Sequence, residues 1–149
     1  MQRVTRAEVR VAGEVRGRIG AGLLVLLGAT HQDGPDEVAW LARRVAGLRL
    51  FADAEGRMNL DVNGIGGSVL VVPQFTLYGD ARRGMRPEFT AAARPEHAEP
   101  LFVAFCGALA DAGVAVERGV FRAHMEVELL NDGPVTVMVD TPPRAEPAS

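Results

Sequence analysis

An α+β domain of mostly antiparallel strands with two main helices is what this sequence predicts. Three observations lead there: short apolar or alternating runs bounded by turn residues, two longer stretches with helical spacing, and a length of 149 residues that suits a single core. From Arg3 to Val11 the pattern alternates, with Val9 and Val11 on one side and Glu8 and Arg10 on the other, so this is a strand with one wet face. Ala12-Gly13-Glu14 turns it into a second strand, Val15 to Ile19. Leu23 to Gly28 is a continuous apolar run suited to a central strand, broken by His31-Gln32-Asp33-Gly34-Pro35.

With Asp33 near the N-cap and Pro35 in the first turn, a helix runs to about Leu48 and buries Val38, Leu41, Val45 and Leu48. Asp53-Ala54-Glu55-Gly56 is a hairpin turn before a strand from Met58 to Val62, and Asn63 to Gly67 is a flexible loop leading into Ser68 to Gln74. A second helix spans Pro95 to Ala112, capped by Gly113, with Leu101, Phe102, Phe105 and Leu109 inside. Val114 to Arg118 follows as a strand, then Met125 to Leu130 and Val135 to Asp140. After Thr141 the composition becomes Pro-Pro-Arg-Ala-Glu-Pro-Ala-Ser, which reads as a disordered tail over 142–149 behind one domain over 1–141.

Composition narrows the chemistry. All 16 basic residues are arginine, so a lysine Schiff base and a lysine-bearing phosphate loop are excluded. Serine occurs only at Ser68 and Ser149, which leaves a Ser-His-Asp hydrolase no well-placed nucleophile. Cys106 is alone, ruling out an internal disulfide or a multi-Cys metal site, and its apolar helical setting reads as an inert thiol. His124, Glu126 and Glu128 alternate on one strand face, which is a wet face rather than a set of metal ligands. No cofactor or metal is expected. The longest apolar runs fall far short of the ~20 residues that cross a bilayer, and the start lacks a secretion signal, so a cytoplasmic protein without a membrane partner is expected.

A net charge of −3 argues against coating long nucleic acid, DNA included, yet permits a local contact with one RNA end; Arg82, Arg83 and Arg86 are the candidates. Those arginines follow Pro73-Gln74-Phe75-Thr76-Leu77-Tyr78-Gly79-Asp80, polar residues at the exit of the apolar run Val69 to Val72. A second segment, Asn131-Asp132-Gly133-Pro134-Val135-Thr136, brackets a Gly-Pro peptide with hydrogen-bonding side chains. By its residues this is a hairpin turn, although Pro134 would weaken pairing at the start of the next strand. Together with Gln2-Arg3-Val4, Gly22 to Gly28, Met58-Asn59-Leu60 and Arg86-Pro87-Glu88-Phe89, the two segments resemble the motifs of the D-aminoacyl-tRNA deacylase family, nearly from end to end.

The resemblance implies layered sheets with helices on one side, assembled as a homodimer. It implies a cis Gly133-Pro134 bond inserted into the other subunit's active site, where rigid backbone excludes L side chains and admits D-aminoacyl and glycyl esters. Asn131 and Thr136 would brace that loop, with Arg3 behind it. Gln74, Phe75 and Thr76 would form the catalytic segment, in which backbone N–H groups near Phe75 and Thr76 meet the oxyanion and the ribose 2′-hydroxyl of the tRNA helps activate water. Phe75 would wall the terminal adenosine, with Ala98 and Met125 lining the same cleft. One departure stands out: Pro73-Gln74 replaces the usual Ser-Gln and is similar to a paralogous group that removes L-alanine from a threonine tRNA. That editing activity and a non-catalytic dimer that binds tRNA ends are the two alternatives.

Overall fold

The structure, a computed structural model, describes residues 1–145. Its elements are β1 (Gln2–Val11), β2 (Glu14–Ile19), β3 (Gly22–Leu27), α1 (Pro35–Gly47), β4 (Phe51–Ala52), β5 (Met58–Leu60), β6 (Ser68–Pro73), a 3₁₀ turn (Phe75–Tyr78), α2 (Pro95–Asp111), β7 (Ala115–Arg118) and β8 (Glu126–Thr136). The main sheet has the order β2-β1-β3-β6-β7, with β8 also on β1, while β4 and β5 form a separate hairpin.

β2 and β3 behave as one bent strand along β1. Val11 faces Glu14, Ala7 faces Ile19, Val4 faces Gly22 and Gln2 faces Leu24. β8 takes the opposite edge of β1, from Arg10 against Glu126 to Arg6 against Leu130. Every pairing of β1 is antiparallel, whereas β3–β6 and β6–β7 are parallel. Each parallel connection passes through a helix, as a parallel step requires.

Two cores follow from this layout. Leu23, Val25, Val69 and Val71 face α1 and α2, meeting Val45, Phe102, Phe105 and Leu109. Leu24, Leu70 and Val72 point the other way, into a core with Val4, Ala7, Val9 and Ile19 that Met125, Val127 and Leu129 cover. With both faces of β3 and β6 buried, no position is left for a polar side chain, hence the unbroken apolar runs. Fully burying a Leu or Phe contributes about 1.5–3 kcal/mol, so Leu23, Leu24, Leu70, Phe105 and Leu109 anchor the fold. The sheet curls: a Cβ on Gly17 of β2 would lie 3.0 Å from Leu70 Cδ1 on β6 and 3.1 Å from Arg118 O on β7. On the wet face of β1, Glu8 is buried between Arg10 and Arg18, and the hydrogen bond from Arg18 holds its carboxyl below the usual range.

The helices start and stop where the sequence places them. Pro35 opens α1, but the N-cap is Gly34; Asp33 instead accepts the Thr30 N–H at 2.8 Å. Glu37 accepts the Gly34 N–H at 2.8 Å. Gly113 closes α2 by donating to Ala110 O at 2.9 Å. The strand expected over Val135 to Asp140 ends at Thr136; just beyond it Val137 exchanges backbone bonds with Met1, whose ammonium donates to Val137 O at 2.8 Å. Of the expected tail, residues 146–149 lie outside the described residues; residues 142–145 have no helix or strand, and Arg144 grips Glu37 with bonds of 2.7 and 2.9 Å.

Candidate active site

β6 delivers its last residue, Pro73, to the mouth of a cleft. Gln74 donates its N–H to Leu27 O at 2.8 Å, and the chain then tightens into the 3₁₀ turn Phe75–Tyr78. Because Gln74 bonds toward β3, alternation turns the Pro73 nitrogen toward β7, whose pairing with β6 stops at Arg118 opposite Val71. The missing N–H therefore breaks no ladder bond, which is why a proline is tolerated at the end of a central strand.

The cleft holds about 670 Å³. Pro73, Gln74 and Phe75 line it together with Ala98 of α2 and Met125 just before β8, so five of the residues singled out in the sequence share one wall system. Phe75 is 58 % exposed and meets Phe89 edge to face at 5.3 Å. Gly119 keeps the floor open: a Cβ there would lie 2.8 Å from Met125 Sδ and 3.5 Å from Pro73 Cδ.

Thr76 is not set up as a nucleophile. Its hydroxyl accepts a hydrogen bond from Gln74 Nε2 at 2.5 Å, and no base bonds to it among the described residues. His31 Nε2 lies 2.6 Å from Thr90 O and His97 Nε2 lies 2.7 Å from Asp33 O, both committed to loop carbonyls. The N–H groups of Phe75 and Thr76, the first two of the turn, have no acceptor among the described residues.

The second segment is not a hairpin. Both sides of it pair with the same strand, Asn131 with Val4 and Thr136 with Gln2, so Asp132 to Val135 swell out opposite Arg3 alone. Local turn chemistry cannot distinguish a hairpin from such a bulge, since both reward Asn, Asp and Gly. The Gly133-Pro134 bond is cis, and both residues are exposed. Asn131 Nδ2 donates to Arg3 O at 2.9 Å and Val135 O at 3.1 Å, while Gln2 Nε2 donates to Thr136 Oγ1 at 3.1 Å. Arg3 lies behind the bulge, donating from Nε to Asp132 O at 3.2 Å, pairing with Asp132 Oδ2 at 3.0 Å and donating from the other end to Leu50 O at 2.6 Å.

One chain does not bring the two segments together. None of residues 131–136 lines the cleft; Thr136 instead borders a second hollow of about 350 Å³ beside Leu77, Tyr78 and Met138. Arg82, Arg83 and Arg86 sit on a separate exposed loop, closed by reciprocal backbone bonds between Asp80 and Glu88. Within it the Asp80 carboxylate holds Arg82 at 2.9 and 2.6 Å and is itself kept below its usual pKa range by that contact. Among the described residues no cluster of His, Cys, Asp or Glu could hold a metal ion, and Glu128 pairs with Arg6 and Arg10. Burial pushes the Cys106 thiol up.

Sequence reasoning missed Arg94, Arg122 and His124, which also line the cleft. His124 was set aside as a surface residue; it is exposed and faces the cleft. Arg94 had a usable signal, since it directly precedes the proline that opens α2.

Residues 1–140 match the family model for D-Tyr-tRNA(Tyr) deacylase, and the chain belongs to that family. It is 58 % identical to a D-aminoacyl-tRNA deacylase of Anaeromyxobacter dehalogenans over 141 residues, covering 95 % of each protein. The enzyme of the same name from Thermus aquaticus is 55 % identical, with 95 % of this chain and 93 % of that one covered. Among solved structures, the c-Myc DNA Unwinding Element Binding Protein superposes with a TM-score of 0.88 at 36 % identity, covering 95 % of this chain and 97 % of that one. A probable eukaryotic D-amino acid tRNA deacylase shares the fold, at a TM-score of 0.74 and 17 % identity over 89 % of this chain and 92 % of that one.

Proposed function

We propose that this chain is a D-aminoacyl-tRNA deacylase: water adds to the carbonyl of the ester on the terminal ribose, the bond to the ribose oxygen breaks, and free D-amino acid and tRNA leave. Family membership and the names of its relatives support the reaction class. The observation that carries the mechanism is a roomy cleft whose wall at Phe75 opens a turn in which the N–H groups of Phe75 and Thr76 are unengaged among the described residues; Thr76 itself follows the lining residues, and no base bonds to its hydroxyl. Such a site stabilises an oxyanion without a protein nucleophile, leaving water activation to the substrate's own 2′-hydroxyl.

The chiral gate is proposed to come from a second copy. The Gly133-Pro134 bulge is braced by Asn131 and Arg3 yet lines no part of its own cleft; in a homodimer it would enter the partner's and occupy the space an L side chain needs. Glycyl esters, lacking a side chain, pass the same gate. Arg82, Arg83 and Arg86 would meet the tRNA outside it, in the cytoplasm where aminoacyl-tRNA is found.

Incubation with D-tyrosyl-, glycyl- and L-alanyl-tRNA tests this reading. Release of the first two with the third left intact is expected. Release of L-alanine instead would favour the editing reaction that Pro73-Gln74 brings to mind, and binding without release would leave a tRNA-end-binding dimer.

A further inference from the structure

We infer that Arg94 and Arg122, with His124 two residues beyond Arg122 on the same segment, form a phosphate rim for the cleft, and that it takes the phosphodiester on the 5′ side of the terminal nucleoside. This deepens the proposed function and rests on it for the identity of the nucleotide, though not for the anion.

Charge bookkeeping around the cleft is one-sided. Its charged or titratable lining consists of Arg94, Arg122 and His124, with no Asp or Glu among the lining residues. All three are exposed. Neither arginine has an ion-pair partner among the described residues, in contrast to Arg3, Arg6, Arg10, Arg18, Arg82 and Arg144, each matched to a carboxylate. Arg94 is the N-cap of the 17-residue helix α2, whose positive end adds to the same field. Arg122 lies between β7 and β8 at φ +65°, a conformation few residues other than glycine adopt.

Below this rim the cleft is apolar and aromatic, with Phe75, Phe89 and Phe121 suited to a stacked base. An aromatic floor under a basic edge is the make-up of a nucleotide site, and a guanidinium matches phosphate in a two-pronged fork. The rim cannot serve the amino acid end of the substrate, since an aminoacyl ester carries an α-ammonium that arginines repel. It therefore belongs to the phosphate side of the nucleoside, and Arg94 and Arg122 act as positioning residues.

The test uses Arg94→Gln and Arg122→Gly in the full chain; glycine suits the backbone at 122, so that variant should fold. First, binding of adenosine 5′-monophosphate and of adenosine is compared by calorimetry. The parent should prefer the monophosphate, and each substitution should shrink the preference roughly fivefold, the size expected of an exposed ion pair. Second, KM and kcat are measured on D-tyrosyl-tRNA and on phosphate-free D-tyrosyl-adenosine. KM for the tRNA should rise while kcat holds, the slope of log KM against log salt should fall by about 0.7 per lost contact, and the phosphate-free ester should be unaffected. Equal losses on both esters, or a parent that binds adenosine as tightly as the monophosphate, would overturn the rim. If the parent cleaves neither ester, the deacylase reading falls, and the monophosphate preference alone decides the rim.

Discussion

The 3₁₀ turn Phe75–Tyr78 is a wall between two hollows of opposite character. On one side, Phe75 faces the cleft of about 670 Å³, with arginines on its edge and no acid. On the other, Leu77 and Tyr78 face the hollow of about 350 Å³, where Asp33, Glu37 and Asp140 appear and no arginine does. The first hollow is lined by Gln74 and Phe75 of the proposed catalytic segment and by none of residues 131–136; the second is bordered by Thr136, the foot of the Gly-Pro bulge. A single chain thus carries both halves of the proposed site on different sides of one turn, as the proposed completion by a second copy would use them.

The largest effect expected from breaking this arrangement is at Gly133. A Cβ there would lie 2.9 Å from Asn131 Oδ1, and Asn131 is pinned by its bonds to Arg3 O and Val135 O, so the bulge itself must shift. Gly133→Ala should lower kcat/KM on D-tyrosyl-tRNA by about 100-fold, as a small misplacement at a reacting centre does. The same variant sharpens the comparison when mixed with Phe75→Ala. If cleft and bulge come from different chains, exchanged heterodimers regain one intact composite site and activity returns; no recovery after verified exchange would place both halves in one chain.

Arg3→Ala comes next. It removes the bonds to Asp132 and Leu50 together, and a loss of about 1–3 kcal/mol of stability in urea titration, with a drop in rate on the D substrate, is expected. Thr76→Ala should keep activity within about tenfold, whereas a base-activated nucleophile would lose far more; an acyl-enzyme trapped on Thr76 would end the oxyanion-only mechanism. Pro73→Ser should change rate by only about threefold and leave the D-over-L preference intact, because the proline breaks no ladder bond and the proposed chiral gate is the Gly133-Pro134 backbone rather than residue 73.

The smallest effect belongs to the acidic hollow. Arg144 and the Gly34 N–H hold the Glu37 carboxyl down at about 2, below its ordinary 4.5. A depressed folded-state value stabilises above the unfolded value and loses that contribution as pH falls, here between about 4.5 and about 2. Arg144→Gln should therefore be less stable than the parent at neutral pH, and the gap in melting temperature should close across that acid window.

Much of the fold was legible because it is written in local patterns. Leu23 to Leu27 and Val69 to Val72 announce strands covered on both faces, and Pro35, Pro95 and Gly113 mark helix ends. Pairing was not legible, being set by contacts between distant segments: nothing in Asn131 to Thr136 reveals that both flanks pair with β1. In the site, Gln74, Phe75, Ala98 and Met125 were readable through resemblance and do share a cleft. Arg122 left no trace in the sequence, because an arginine in a loop carries no sign of its backbone conformation or of the wall it stands on.

Where the bent strand β2–β3 meets the start of β6, Gly22 adopts φ +157°, and a Cβ on it would sit 1.8 Å from Ser68 O. Two backbones touch there with nothing between them. From that point β3 and β6 run side by side for six residues, in parallel register, until Leu27 and Pro73 hand over to the cleft. A side chain at position 22 would thus press on the first pair of the register that leads to the cleft.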